Sequence, residues 1–163
     1  MSIEIVTATL NDVDRLRALR LAALKDTPSA FGAKYEDEVN KPISEWQDRL
    51  KNTHWCFAVS EGVDVGLLAV DKAEKDRNSD CWLSSWWIKD EFRGSGIPKL
   101  MLTWLEQLCR ENNWKKIGLG VWPENIRAIA AYKKLGFTEA QELLPSRSIP
   151  GLMYLAMYRN VGE

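Results

Sequence analysis

Residues 3 to 8, Ile-Glu-Ile-Val-Thr-Ala, read as a short strand. Asn11 and Asp12 then stand as N-cap candidates ahead of Val13, Leu16, Leu19, Ala23 and Leu24, whose helical spacing predicts an amphipathic helix ending near Lys25. Turn-forming residues fill Asp26 to Gly32, and a second amphipathic stretch, with Ser44 as its cap, runs to Asn52 after the breaker Pro42. Residues 55 to 60 and 65 to 71 are β-favouring runs joined by Glu61-Gly62-Val63-Asp64, the pattern of an antiparallel hairpin. A third β-rich run, Cys81 to Ile88, stops at Lys89-Asp90-Glu91. Ile97, Leu100, Met101, Trp104, Leu105, Leu108 and Cys109 form a broad apolar stripe, the mark of a long helix, which Asn112-Asn113 ends. Ile117, Leu119 and Val121 alternate as a strand, and a short Ala-rich helix follows from about Glu124 to Leu135, before the stop at Gly136. Strands near 137 to 142 and 152 to 158 complete the order βααβββαβαββ. The charged stretch Lys34 to Lys41 reads as a solvated face or mobile lid.

A chain of 163 residues with 45% hydrophobic and 28% charged residues is expected to form one soluble domain, residues 1–163, with a real core. The net charge of -1 argues against a nucleic-acid backbone partner, which is usually met by a clustered basic excess. The N-terminal segment has neither a basic start nor a long apolar run, and no stretch approaches the ~20 apolar residues of a membrane span, so a cytoplasmic location without membrane contact is expected. Cys56, Cys81 and Cys109 lie far apart in sequence, which excludes a close-spaced metal pair and suggests reduced thiols; no metal is expected. The single histidine, His54, sits at a strand start and reads as structural or surface.

The densest chemical signal is Phe92-Arg93-Gly94-Ser95-Gly96-Ile97-Pro98-Lys99, between a β run and the long helix. Its two glycines let the backbone turn tightly, and the first turn of a helix leaves N–H groups unpaired at its positive end, so the segment can cradle an anion. A dinucleotide fingerprint and a nucleotide-triphosphate loop would both place glycine where Lys99 stands, so another phosphate ligand is required. A plain strand-to-helix turn is the competing reading. Gly118 and Gly120 in the later strand suit either a close ligand approach or simple crowding of the sheet.

Arg93 and Gly96, taken with Asn125, Ala128, Tyr132, Gly136 and Phe137, resemble the two signatures of the GCN5-related N-acetyltransferase (GNAT) family. The segments Leu19 to Leu24 and Pro28 to Gly32 also resemble family members, and the element order matches along nearly the whole chain. The resemblance implies an α/β fold: a mixed, largely antiparallel central sheet of about seven strands, split between the fourth and fifth, with helices on both faces. It implies acetyl-CoA as cosubstrate and direct transfer to an amine in a ternary complex, with no covalent enzyme intermediate. The acceptor would be a small-molecule amine or a peptide amine, and a homodimer is compatible with the family.

Residue by residue, the resemblance gives Trp87 and Ile88 to the pantetheine arm through their backbone. Arg93, Gly94, Ser95, Gly96, Ile97 and Lys99 go to the pyrophosphate, and Asn125, Ala128 and Tyr132 also go to the cofactor. Tyr132 would protonate the leaving thiolate. Asn125 is equally a helix cap. Pro98 departs from the family pattern, which has Gly or Ala there, and removes one N–H donor. The third β run lacks the Glu that many relatives carry, which leaves Asp80, Glu36, Glu38 or bulk water as candidate base. Phe31, Trp86 and Trp122, with Tyr35 nearby, are the aromatics expected on the acceptor side. The competing functional class is a catalytically weak or inactive acyl-CoA-binding regulatory protein on the same fold.

Overall fold

The computed structural model describes residues 2–162. Its elements run β1 (Ile3–Thr7), α1 (Val13–Asp26), α2 (Tyr35–Glu38), α3 (Ile43–Asn52), β2 (His54–Ser60), β3 (Val63–Lys72), β4 (Cys81–Ile88), α4 (Ile97–Asn112), β5 (Lys116–Val121), α5 (Ile126–Lys134), β6 (Thr138–Pro145) and β7 (Met153–Asn160). The strands form one mixed sheet in the order β1-β2-β3-β4-β5-β7-β6, with a parallel pair at β4-β5 among antiparallel neighbours. Contacts divide the chain into two compact units: residues up to Asp71 with Ser85–Leu105, and Lys72–Ser84 with the residues from Glu106 onward. The division falls inside β4, beside Ser85, a non-glycine residue with φ of 54°.

In the first unit the hairpin forms, with a turn shorter than the expected Glu61 to Asp64, since Val63 and Asp64 already belong to β3. Glu61 and Gly62 have φ of 48° and 82°, the pair of left-handed residues that a two-residue turn needs to match strand twist, and they set Ser60 opposite Val63. β2 and β3 are buried on both faces over most of their length. On one face Leu16, Leu19 and Ala23 of α1 and Trp46 of α3 pack with Trp55, Phe57, Leu67, Ala69 and Trp87. Full burial of such side chains is worth roughly 1.5–3 kcal/mol each. The helix α3 begins at Ile43 with Pro42 as its cap residue, so Ser44 lies inside it and does not cap it.

The stretch Lys34 to Lys41 is solvated at Lys34, Glu36, Asp37 and Asn40, but not throughout. It contains the short helix α2, whose Glu38 is only 5% exposed. The Glu38 carboxylate accepts from Arg49 at 2.7 Å and pairs with Lys41 at 3.3 Å. Burial opposes its ionisation, but these cations outweigh that and hold its pKa below the usual glutamate range. Arg20, on the buried face of α1 and 8% exposed, lies over the Phe31 ring at 5.0 Å. Burial lowers its pKa to about 10, and the Glu38 charge is what favours the ionised form. Three consecutive acids look like open surface in sequence; the partners of the third lie outside α2, Arg49 on α3 and Lys41 in the connection before it.

In the second unit β4 pairs with β5 from Cys81–Ile117 to Leu83–Leu119 and no further, while β5 stays paired to β7 through Val121–Leu155. Asp80 accepts the backbone N–H groups of Lys115 and Lys116 at 2.7 and 2.9 Å, fixing where β5 starts. Gly118 and Gly120 answer to crowding by side chains. A Cβ on Gly118 would lie 2.8 Å from the Trp82 ring and 2.7 Å from Ser79 Oγ, and one on Gly120 would lie 2.8 Å from the Tyr154 ring. Gly118→Ala is therefore expected to destabilise the protein by about 1–3 kcal/mol through overpacking, read as a lower urea midpoint with an unchanged m-value.

Candidate active site

At the end of β4, Trp87 is buried in the core and Ile88 is 8% exposed, so their side chains are structural and only backbone atoms remain for a ligand. After a single 3-10 turn, Asp90–Phe92, the chain passes through Gly94 and Gly96 with φ of 81° and 86°. These values require glycine, and a Cβ on either residue would meet nothing within 4 Å. The glycines thus serve backbone shape beside open space, the reverse of Gly118. Ser95 Oγ donates to the Phe92 carbonyl and pins the turn. The first bond of α4 runs from Leu100 N–H to the Gly96 carbonyl at 3.3 Å, so the N–H groups of Ile97 and Lys99 precede the helical ladder. Pro98 occupies the first turn, where proline is tolerated, and supplies no N–H. Lys99 is exposed. The Arg93 guanidinium is turned to protein partners, Ile88, Asp90 and Asp26.

In the second unit, Trp122 and Asn125 bracket the turn into α5, with Asn125 N–H donating to the Trp122 carbonyl at 2.9 Å. Asn125 Oδ1 accepts from Ala128 N–H at 3.2 Å, so the helix-cap reading of this residue is realised. Tyr132 lies one turn beyond Ala128, half-buried, its ring edge-on to Phe137 at 6.0 Å between centroids. Burial pushes the Tyr132 phenol up to about 12.

The sequence match decides the family: the acetyltransferase (GNAT) family model covers residues 16–137, which include both segments just described. The chain belongs to the GNAT acetyltransferase family. It is 24% identical over 104 residues to the uncharacterized N-acetyltransferase YdgE of Bacillus subtilis, covering 64% of this chain and 66% of that one. It is 35% identical over 71 residues to the spermine/spermidine N(1)-acetyltransferase of the same organism, covering 43% of this chain and 47% of that one. The chain therefore spans between about half and two thirds of the length of these relatives. Its fold is similar to that of RimL, a ribosomal L7/L12 alpha-N-protein acetyltransferase solved with coenzyme A, at a TM-score of 0.75; identity is 12%, over 99% of this chain and 95% of that chain.

For this GNAT chain the candidate bases are unequal. Asp80 and Glu38 are committed to the structural contacts above, whereas Glu36 is exposed on α2. Phe31 covers the Arg20 guanidinium, and Tyr35 faces Lys25 at 5.4 Å. Trp86 and Trp122 are half-buried. All three cysteines are buried and free; Cys81 and Cys109 lie 3.8 Å apart at sulfur. The Cys81 thiol is pushed up by its hydrogen bond with Cys109 and by burial, and burial alone pushes Cys56 up, so both lack thiolate character. A cavity of about 150 Å³ in the first unit, lined by Thr7, Lys51, His54 and Trp55 among others, contains none of the GNAT motif residues. One partner of the motif escaped the sequence reading: Asp26, which meets Arg93 across 67 residues and carries no local signature.

Proposed function

We propose that this chain is an N-acetyltransferase that moves the acetyl group of acetyl-CoA directly to a small-molecule amine or peptide amine in a ternary complex. The observation that carries the proposal is the open, left-handed turn at Gly94 and Gly96 running into the start of α4, a backbone shape suited to a pyrophosphate. Membership of the GNAT family supports the chemistry; a relative named for spermine and spermidine, and a structural neighbour solved with coenzyme A, support the amine and the cosubstrate.

In this reading Gly94 to Ile97 and Lys99 receive the pyrophosphate, the backbone of Trp87 and Ile88 receives the pantetheine arm, and Asn125 and Ala128 contact the cofactor from α5. Tyr132 is the general acid that returns a proton to the coenzyme sulfur. Phe31, Trp86 and Trp122 face the acceptor. Acetyl-CoA supplies the activated thioester. With Asp80 and Glu38 committed elsewhere, the bases that remain are water and the exposed Glu36, and in this reading the acceptor amine loses its proton to water. The pH profile follows: kcat/KM rises with pH up to the acceptor's own pKa, and Tyr132, held protonated until about pH 12, contributes no alkaline fall below that range. Initial rates between pH 6 and pH 10 with amines of different basicity check this; a limb that stays fixed when the amine is changed would reveal an enzyme base.

The deciding experiment is a calorimetric titration with acetyl-CoA, followed by thiol release against a panel of amines. Micromolar binding with turnover is expected, and absence of binding at high micromolar concentration would overturn the enzyme reading. A second reading, an acyl-CoA-binding regulatory protein with weak or no catalysis, is favoured by Pro98, which removes a donor worth roughly 1.5–3 kcal/mol toward a charged acceptor, and by the lack of a free carboxylate on β4. Binding without turnover across the panel would select it.

A further inference from the structure

The helix α1 ends at Asp26, and the carboxylate does more than close the helix. Its Oδ2 accepts from Thr27 Oγ1 at 2.7 Å, from Trp87 Nε1 at 3.0 Å and from Arg93 Nη2 at 3.0 Å. The Thr27 and Trp87 hydrogen bonds, with Arg93, hold its pKa below the usual aspartate range, so it is ionised at neutral pH. Arg93 is engaged at each of its three nitrogens: Nε donates to the Ile88 carbonyl at 2.8 Å, Nη1 to Asp90 at 3.1 Å and Nη2 to Asp26. These contacts tie together the end of α1, the end of β4 and the 3-10 turn, and Arg93 is the residue from which the Gly94-Ser95-Gly96 turn departs. A turn with two glycines loses more conformational entropy on ordering than any other, and no side chain at Gly94 or Gly96 packs to hold it. Besides the hydrogen bond from Ser95 to the Phe92 carbonyl, the anchor comes from its ends.

We infer that Asp26 is a positioning residue for the cofactor loop, and that Arg93 acts as its clip, not as a ligand of the pyrophosphate. The inference rests on the acetyl-CoA reading above and changes one role in it: the family resemblance would give the Arg93 charge to the phosphates, whereas here two carboxylates already neutralise it.

The two roles predict opposite signs for one substitution. Asp26→Asn keeps an acceptor for Trp87 and Thr27 but removes the charge that holds Arg93. If Arg93 were a phosphate ligand restrained by Asp26, the change would free it and tighten coenzyme A binding. If Arg93 is a clip, the loop loosens and binding weakens. The expected result, by calorimetry with coenzyme A, is a Kd raised about 3- to 5-fold, the scale of a partly exposed ion pair. Asp26→Glu should recover part of the loss. In an Arg93→Gln background Asp26→Asn should have no further effect, since the two act as a unit. In turnover, KM for acetyl-CoA rises while kcat holds.

Hydrogen exchange at residues 93 to 96 in the ligand-free protein provides a readout independent of the cofactor: it should be faster in Asp26→Asn by a similar factor. Tighter or unchanged coenzyme A binding in Asp26→Asn, or unchanged exchange, would overturn the inference. Failure of the wild-type protein to bind coenzyme A would instead overturn the acetyltransferase reading, with exchange still deciding whether Asp26 holds the loop.

Discussion

Tyr132→Phe is expected to lower kcat by roughly 10²- to 10⁴-fold, the range of a positioned general acid, while leaving acetyl-CoA affinity unchanged. The substitution removes one hydroxyl. The ring that sits edge-on to Phe137 stays, and the main-chain carbonyl of residue 132 goes on accepting from Leu135 and Phe137 N–H at 3.0 and 3.1 Å, so the end of α5 holds its shape. What disappears is a proton donor that burial keeps protonated to about pH 12, against roughly 10 in water. The measurement is steady-state kinetics beside a calorimetric Kd for acetyl-CoA. A kcat within a few-fold of wild type would remove Tyr132 from the chemistry and leave water as the proton source. A parallel rise in Kd would make it a binding residue instead.

Glu38→Ala carries a large expected effect on stability, a loss of about 1–3 kcal/mol, because it withdraws the charge that favours buried Arg20 and leaves the part-exposed Arg49 and Lys41 with Glu45 alone. Glu38 is 5% exposed, pairs with Arg49 and Lys41, and is the charge that favours ionised Arg20. Arg20 Nη1 is already buried without a hydrogen-bond partner, and the carboxylate that remains in the cluster, Glu45, pairs with Lys41 at 3.1 Å and Arg49 at 3.6 Å. Urea unfolding gives the direct reading: a lower midpoint with an unchanged m-value. Arg49→Met in the Glu38→Ala background should restore part of the loss, since it withdraws a charge that Glu38 balanced and that lowers the Arg20 pKa. The pH dependence has a definite sign. Glu38 has a lowered pKa in the folded state, so its contribution is present above the unfolded-state pKa and fades as acid carries the pH down through the folded value. In Glu38→Ala that part of the acid sensitivity should vanish. A loss below 1 kcal/mol would mean that the cluster is solvated and replaceable.

The elements were largely legible along the chain because each carries its own period and punctuation. The stripe from Ile97 to Cys109 marks α4, Glu61-Gly62 marks the hairpin turn, and Gly94 and Gly96 mark a backbone that only glycine adopts readily. The short helix α2 was not legible, since Glu36-Asp37-Glu38 has the composition of open surface and its anchor lies 11 residues on at Arg49. The glycines of β5 were legible as demanding space but not as to what fills it. The rings of Trp82 and Tyr154 do, and each is a sheet neighbour reached only through strand pairing.

The order of the strands and of the helices other than α2, the apolar faces and the two motifs of an acetyltransferase were determined by the sequence alone, since period, turn chemistry and motif spacing are local properties of the chain. Which charges are spent on structure was decided only by the tertiary fold. Asp26 meets Arg93 across 67 residues, Asp80 meets Lys115 across 35, and Glu38 is buried among cations from other elements. A carboxylate costs little in water and much when desolvated, so its role depends on what surrounds it, and no reading of neighbours along the chain contains that information.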